Sequence, residues 1–439
     1  MCHLEVGLVS DGERPLPRVV LSVNARSADR ALHCGSEAGP HRRTDFAALQ
    51  EATGASIVDW DTADARPFTR WLRRKVGFGP VAALLLFLQR ENFDVAWCFS
   101  EVEGLLLALL LKLSGTRKHV FVIGVELLSW KCLALLRGLH VWSHLTALLP
   151  TSTYQAAQVV RRARVPASKV IALPYQVDCQ YFSRSAVKEP LRASGVRCGP
   201  PKQYIVAAGL ESRDYETLAR AVEGLDVEVR VAAASLWARR DRALKVVPWP
   251  QNVSSRSYTY GELRELYAGA AFAVVPLASS IYQHGVTALQ EAMAMGLAVI
   301  ATRTVGQGDV VTDRRKVLRS SPPLPTTGGF SQLLAPERAE LARPNGHYVP
   351  VGDVAALRRS ISYLLSHPEE RALLGAQGRL VAEELLSLDK FVARAKRLIE
   401  SVWAAQPLSQ DLVRDQPRTP EEVGGEVPFS RAPGTQFGY

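Results

Sequence analysis

Ala271-Phe272-Ala273-Val274-Val275-Pro276-Leu277, then His284-Gly285-Val286-Thr287-Ala288-Leu289-Gln290-Glu291-Ala292-Met293-Ala294-Met295-Gly296, then Leu297-Ala298-Val299-Ile300 is the run that decides the fold. The two flanking segments are short and apolar throughout, as buried strands are. The middle one has the length and glycine stop of a short helix. Strand, polar loop, helix, strand is a βα unit with its loop at the carboxyl end of a strand. In a parallel α/β sheet that is where ligands sit. Backbone N–H groups from Gly285 to Thr287 would point outward there and favour an anion, and Gly285 would let a phosphate approach closely. The plainer reading is a helix start with Gly296 as its stop.

Working outward, strands are expected at 19–23, 55–58, 94–99, 119–123, 145–149, 204–208 and 227–233, with helices between them. This alternation predicts doubly wound parallel sheets. A chain of 439 residues exceeds one ordinary core and suits two domains. Residues 1–17 read as a loose leader, 18–175 as the first domain and 176–388 as the second. A flexible insertion is expected at 313–344, a helix crossing back at 389–404 and a disordered tail at 405–439. No internal repeat is evident.

Six scattered cysteines without a CxxC pair point away from a disulfide framework or zinc site, and towards reduced thiols in a cytoplasmic protein. No signal-peptide pattern opens the chain. His140 and His144 stand at helical spacing without a third metal ligand. The net charge of +10 suits phosphates or an anionic membrane surface. No nucleic-acid module is recognised. At 68–88, Arg70, Arg73, Arg74 and Lys75 lie beside Phe68, Trp71 and Phe78. Two readings stand there: an interfacial segment on the inner face of an anionic membrane, or a solvated basic face leading into a core helix broken at Gly79-Pro80. Glu101, Glu103 and Glu126 are acceptor-side candidates, although carboxylates in a first helical turn are common for electrostatic reasons alone. The loop at 235–240, with Trp237, Arg239 and Arg240, is a further basic candidate.

The stretch containing Glu291 resembles the donor-binding signature of the retaining glycosyltransferases with two Rossmann-like domains, family 4 of the GT-B superfamily. In that signature an acidic residue is followed, eight positions on, by a second Glu, then Ala-x-Ala-x-Gly and a strand. Glu291 takes the second acidic place, which in the family binds the ribose hydroxyls of a nucleotide-sugar. Gln283 stands at the first, keeping donor and acceptor atoms but losing the charge. Lys169 to Asp178 resembles the family's exit from its first domain, with Gln176 for the usual glycine. Gly209-Leu210-Glu211-Ser212-Arg213-Asp214-Tyr215 resembles its phosphate-binding loop, Leu210 replacing one basic residue. Thr302 to Asp309 is similar to its Gly-rich loop with an acidic residue. The resemblance covers roughly 145–404.

It implies a GT-B fold, two Rossmann-like domains facing a cleft, and a hexosyltransferase-type enzyme acting with retention. Gln283, His284 and Arg213 would be catalytic. Gly285, Val286, Thr287, Glu291, Gly209, Arg213 and Asp309 would bind the donor, a UDP- or GDP-sugar. The acceptor is open, with a lipid-linked or glycan acceptor favoured. No cofactor and no metal are expected, since no Asp-x-Asp pattern suited to divalent coordination stands out. Two other readings are a catalytically silent relative binding a sugar or a partner, and a nucleotide-sugar epimerase.

Overall fold

The computed structural model describes residues 16–26, 41–187, 203–232, 249–313 and 329–414. The first sheet has five strands: β1 (Val19–Ser22), β2 (Ser56–Val58), β3 (Val95–Cys98), β4 (His119–Gly124) and β5 (Ala147–Pro150). Their order is β2-β1-β3-β4-β5 and every pairing is parallel. Their helices are α1 (Asp45–Thr53), α2 (Trp60–Asp64), α3 (Pro67–Val76), α4 (Phe78–Leu88), α5 (Glu101–Ser114), α6 (Trp130–Leu133) and α7 (Thr153–Ala163).

The second sheet has six strands: β6 (Tyr204–Ala208), β7 (Glu228–Ala232), β8 (Val253–Arg256), β9 (Ala273–Val275), β10 (Val299–Thr302) and β11 (Gly346–Val349). They are ordered β11-β10-β9-β6-β7-β8, again all parallel. The helices here are α8 (Tyr215–Val222), α9 (Tyr260–Gly269), α10 (Val286–Ala294), α11 (Gly329–Leu334), α12 (Val354–Ser366) and α13 (Pro368–Leu385), followed by α14 (Leu388–Trp403). Apart from the edge strands β2 and β8, whose residues are mostly half-buried or exposed, the strands are buried on both faces, as continuous Val, Ile and Leu runs require.

Helix starts follow local chemistry. Ser152 accepts from Gln155 N, Asp353 from Ala356 N and Ser387 from Lys390 N, each satisfying a first-turn donor. Helix α14 returns to the first domain. Phe391 meets Trp97 edge-on at 6.3 Å, and Trp97 packs on Phe121 at 5.2 Å. The chain's two crossings run side by side, with Val177 N donating to Leu386 O and Leu388 N to Val177 O. Arg43 ties both by ion pairs to Asp178 and Asp389.

Several expectations are corrected. The break in 68–88 falls at Gly77 (φ +86), not at Gly79-Pro80, because proline is tolerated in the first turn of α4 while Gly77 takes a backbone few other residues adopt. Of the expected insertion, 314–328 lies outside the described residues. Residues 329–344 instead build α11 and a 3-10 turn at Ala339–Ala342, with Phe330, Leu334 and Leu341 fully buried. The expected tail is ordered to 414. A 3-10 turn at Gln410–Val413 buries Val413, and Gln410 both accepts from Ala172 N and donates to Ala172 O. One apolar residue and one amide suffice there, a signal that overall polarity concealed. His140 takes a left-handed backbone (φ 49) ahead of the 3-10 turn Val141–His144, so it shares no helical face with His144.

Candidate functional site

Strand β9 and helix α10 are joined by a loop whose last residue, Gly285, is the N-cap of α10 at φ +77. A Cβ at Gly285 would come within 2.9 Å of Leu277 Cδ2 and Val275 Cγ1. Glycine is therefore required for both dihedral and space. It brings no side-chain cap, so the first-turn N–H groups from Gly285 to Thr287 are left to whatever fills the space in front. That space is an interdomain cavity of about 500 Å³. Gln283, His284, Gly285, Val286 and Thr287 line it from the second domain, and Asn24, Arg42, Phe99 and Thr151 from the first. Gln283 is only 2% exposed, and neither its amide oxygen nor its nitrogen has a hydrogen-bond partner. His284 Nδ1 and Thr151 Oγ1 are also buried without one. Buried polar atoms are normally satisfied. Polar atoms left over on both walls of one cavity mark a place for a polar guest.

Arg213 lies behind this helix start. Its Nε donates to Ala208 O at 2.9 Å and its Nη1 to Glu211 O at 2.7 Å. The Gly209 backbone is at φ +98, and a Cβ there would fall on the Arg213 guanidinium. Nη1 lies 3.3 Å from where a Gly285 Cβ would stand. Burial lowers the Arg213 pKa, partly offset by the Tyr215 and Tyr267 hydroxyls and by Glu211 and Glu291. It adds fixed positive charge beneath the α10 N-terminus.

Glu291 sits on α10, and burial pushes its carboxyl up to about 7. Arg42 is the largest opposing influence, followed by the Tyr267 hydroxyl, 3.4 Å from Oε2, and Arg213. Arg42 comes from the first domain and places its guanidinium 4.5 Å over the Tyr260 ring. Sequence reading missed this cation. It stands far from Glu291 in the chain and belongs to no local pattern.

Asp309 is not with this group. Its carboxylate accepts from Thr153 N at 2.7 Å and Thr153 Oγ1 at 2.5 Å, so it caps α7 of the opposite domain. The helix N-terminus draws the carboxylate there, and the expected donor contact is corrected to an interdomain one. Glu103 is 1% exposed, and burial pushes its carboxyl up to about 8. Glu101 accepts from Val125 N at 3.3 Å. The sequence also contains Asp59-Trp60-Asp61. Asp59 accepts from Thr62 N as the α2 cap and Asp61 lies 3.7 Å from Arg26, so neither reaches the cavity wall at Gly285. No group of three metal-ligating side chains occurs among the described residues. The basic loop at 235–240 lies outside them.

Residues 213–367 match the family model described as glycosyl transferases group 1. No curated protein matches the chain. Among solved structures, a sucrose-phosphate synthase from Thermosynechococcus elongatus superposes with a TM-score of 0.60 at 16% identity, over 89% of this chain and 100% of its own. Anabaena HepE, solved with UDP and glucose, gives 0.57 at 11% identity, over 88% and 100%. A glycosyltransferase from Rickettsia africae gives 0.53 at 11% identity, over 89% and 99%. With two parallel Rossmann-like sheets facing a cleft, the architecture is GT-B.

Proposed function

We propose that this chain transfers a hexosyl group from a nucleotide-diphosphate sugar to an acceptor with retention of configuration. The observation that carries the reading is the uncapped start of α10 at Gly285, opening into the interdomain cavity with Arg213 behind it. Breaking the anomeric C–O bond puts charge on the departing diphosphate. Fixed N–H donors and a guanidinium stabilise that charge most in the transition state. Glu291 would accept from the ribose hydroxyls, and Gln283 and His284 would hold the sugar or its β-phosphate. Val286, Thr287 and Gly209 would complete the backbone cradle. Retention rests on the resemblance of the motif. So does independence of metal.

HepE, solved also with UDP-glucose, makes uridine the first nucleotide to test. Free buried Cys98, Cys132 and Cys179 support a reducing, cytoplasmic setting. An acceptor held at a membrane fits the exposed face of α3, considered below.

The test is a thermal-shift titration of the protein with UDP, UDP-glucose and the corresponding GDP, ADP and TDP sugars. At a hundredfold excess over Kd a true donor adds about 2.7 kcal/mol of stability. No response to any nucleotide sugar would overturn the proposal. Gln283 in the usual acidic place favours a second reading, a silent relative that binds the donor without using it. Binding without turnover over a panel of acceptors, and gain of turnover in Gln283→Glu, would separate the two.

A further inference from the structure

We infer that α3 is a docking surface for an anionic lipid bilayer, seating the first domain on a membrane beside the mouth of the cleft. Phe68 and Trp71 stack with centroids 6.2 Å apart and are 63% and 55% exposed. On the opposite side Thr69 is buried and Leu72 joins the core, so the helix is held while its aromatic pair faces out. A solvated basic face has no use for two projecting aromatic rings. An interfacial helix does, because rings settle among headgroups while flanking cations meet lipid phosphates.

The charge agrees. Helix α3 contains no acidic residue, while Arg66, Arg70, Arg74 and Lys75 are exposed on or beside it. Two of the arginines are tied to Asp64: Arg73 through two 2.8 Å bonds to its carboxylate, lying 5.0 Å over Trp60, and Arg70, still exposed, through bonds of 3.0 and 2.7 Å to its carbonyl. The patch is therefore apolar and cationic together, complementary to an anionic interface. No helix among the described residues is long and apolar enough to cross a membrane.

The patch also adjoins the cleft. The indole N–H of Trp60, beneath Arg73, donates to Asn24 Oδ1 at 2.8 Å, and Asn24 lines the cavity. Beyond the other end of α3, Gly79 of α4 packs against Val102 of α5, just past the carboxyl end of β3, where a Cβ would come 2.6 Å from Val102 Cγ1. Val76 and Val102 are exposed there, and Trp130, 75% exposed with Lys131 beside its ring, follows the end of β4. Successive carboxyl-edge segments of the first sheet thus present apolar side chains to solvent. Docking itself does not depend on the transfer reaction. Its consequence, an acceptor drawn from the bilayer, rests on that reading.

The experiment is co-sedimentation of the full chain with phosphatidylcholine vesicles, with and without about a third phosphatidylglycerol, at low and high salt. Binding is expected only to the anionic vesicles and should fall steeply with salt. Phe68→Ser with Trp71→Ser should weaken it about tenfold or more, as should Arg74→Glu with Lys75→Glu. Both variants should keep the wild-type melting temperature and UDP response, which shows that they fold and separates failure of docking from failure of the donor reading. No binding to anionic vesicles, or equal binding by the variants, overturns the inference. So does a concentration-dependent dimer in light scattering that the Trp71→Ser change dissolves, since the face would then cover a second copy of the chain.

Discussion

Two βα units, β3–α5 in the first domain and β9–α10 in the second, are built alike and furnished differently. Each carries a buried glutamate. At α5 the helix start is closed by its own N-cap, Ser100 Oγ accepting from Val102 N. Burial lifts Glu103 to about 8, the Ser22 hydroxyl pulls the other way, and Glu101 adds to the rise. At α10 the cap is a glycine, the start is open, and Glu291 stands at about 7 with Arg42, Tyr267 and Arg213 opposing its burial. The first carboxyl is buried without a hydrogen-bond partner on either oxygen and lies outside the lining of the cavity at Gly285. The second is poised near neutrality by two guanidinium groups, one from each domain, as perturbed groups at functional sites often are.

The largest way to break this comparison is to close the open helix start. Gly285→Val forces a side chain against Leu277 and Val275 at a positive φ, and should abolish UDP binding in calorimetry, a loss of roughly a hundredfold or more. A variant that still binds UDP normally would remove α10 from the donor site.

The next is Glu291→Gln. With its folded pKa raised to about 7, the carboxylate proposed to accept ribose hydroxyls forms as pH rises. Wild-type UDP affinity should therefore increase between about pH 6 and about pH 8, and the variant should be roughly tenfold or more weaker at the upper end and flat across the range. The sign for stability is opposite. A carboxyl raised from 4.5 favours the fold most below its unfolded pKa, and that contribution is lost as pH climbs through about 7.

A smaller effect separates the two guanidinium groups. Arg42→Leu should move the midpoint of the UDP-binding pH profile upward by about one unit, with Arg42→Lys restoring it. An unmoved midpoint would show that Arg213 and Tyr267 alone hold Glu291.

The smallest concerns the first unit. Glu103→Gln should leave UDP affinity unchanged. The wild-type melting temperature should decline as pH rises through about 8, and the variant should decline less, by a few degrees. Identical melting profiles would mean that Glu103 does not titrate with folding.

Both units are legible as strand and helix, since the strand expected at 94–99 and the first-turn carboxylates Glu101 and Glu103 stand where the sequence puts them; what is not legible lies between the domains, for a physical reason. The chemistry of β9–α10 sits within one contiguous stretch, where Gly285, Glu291 and Gly296 have positions fixed by helix geometry. Arg213 and Gly209 come together because a strand end and the next helix start also lie close in the chain. What was missed crosses the cleft: Arg42 over Tyr260, the unpartnered Thr151, and Asp309 turned towards Thr153. Such contacts depend on how two domains meet, and local spacing carries no record of that. The helix break expected at Gly79-Pro80 differs in kind: it falls three residues before the proline, at Gly77, whose positive-φ backbone separates α3 from α4.

The Asp309–Thr153 contact gives the cleft a threshold for opening. A carboxylate from one domain satisfies the first-turn donor and the hydroxyl of a helix in the other, so parting the domains strands both at once unless water enters. Any motion that parts the domains here therefore breaks two hydrogen bonds together. If the proposed transfer holds, release of spent nucleotide would have to break this contact, which lies outside the residues lining the cavity at Gly285.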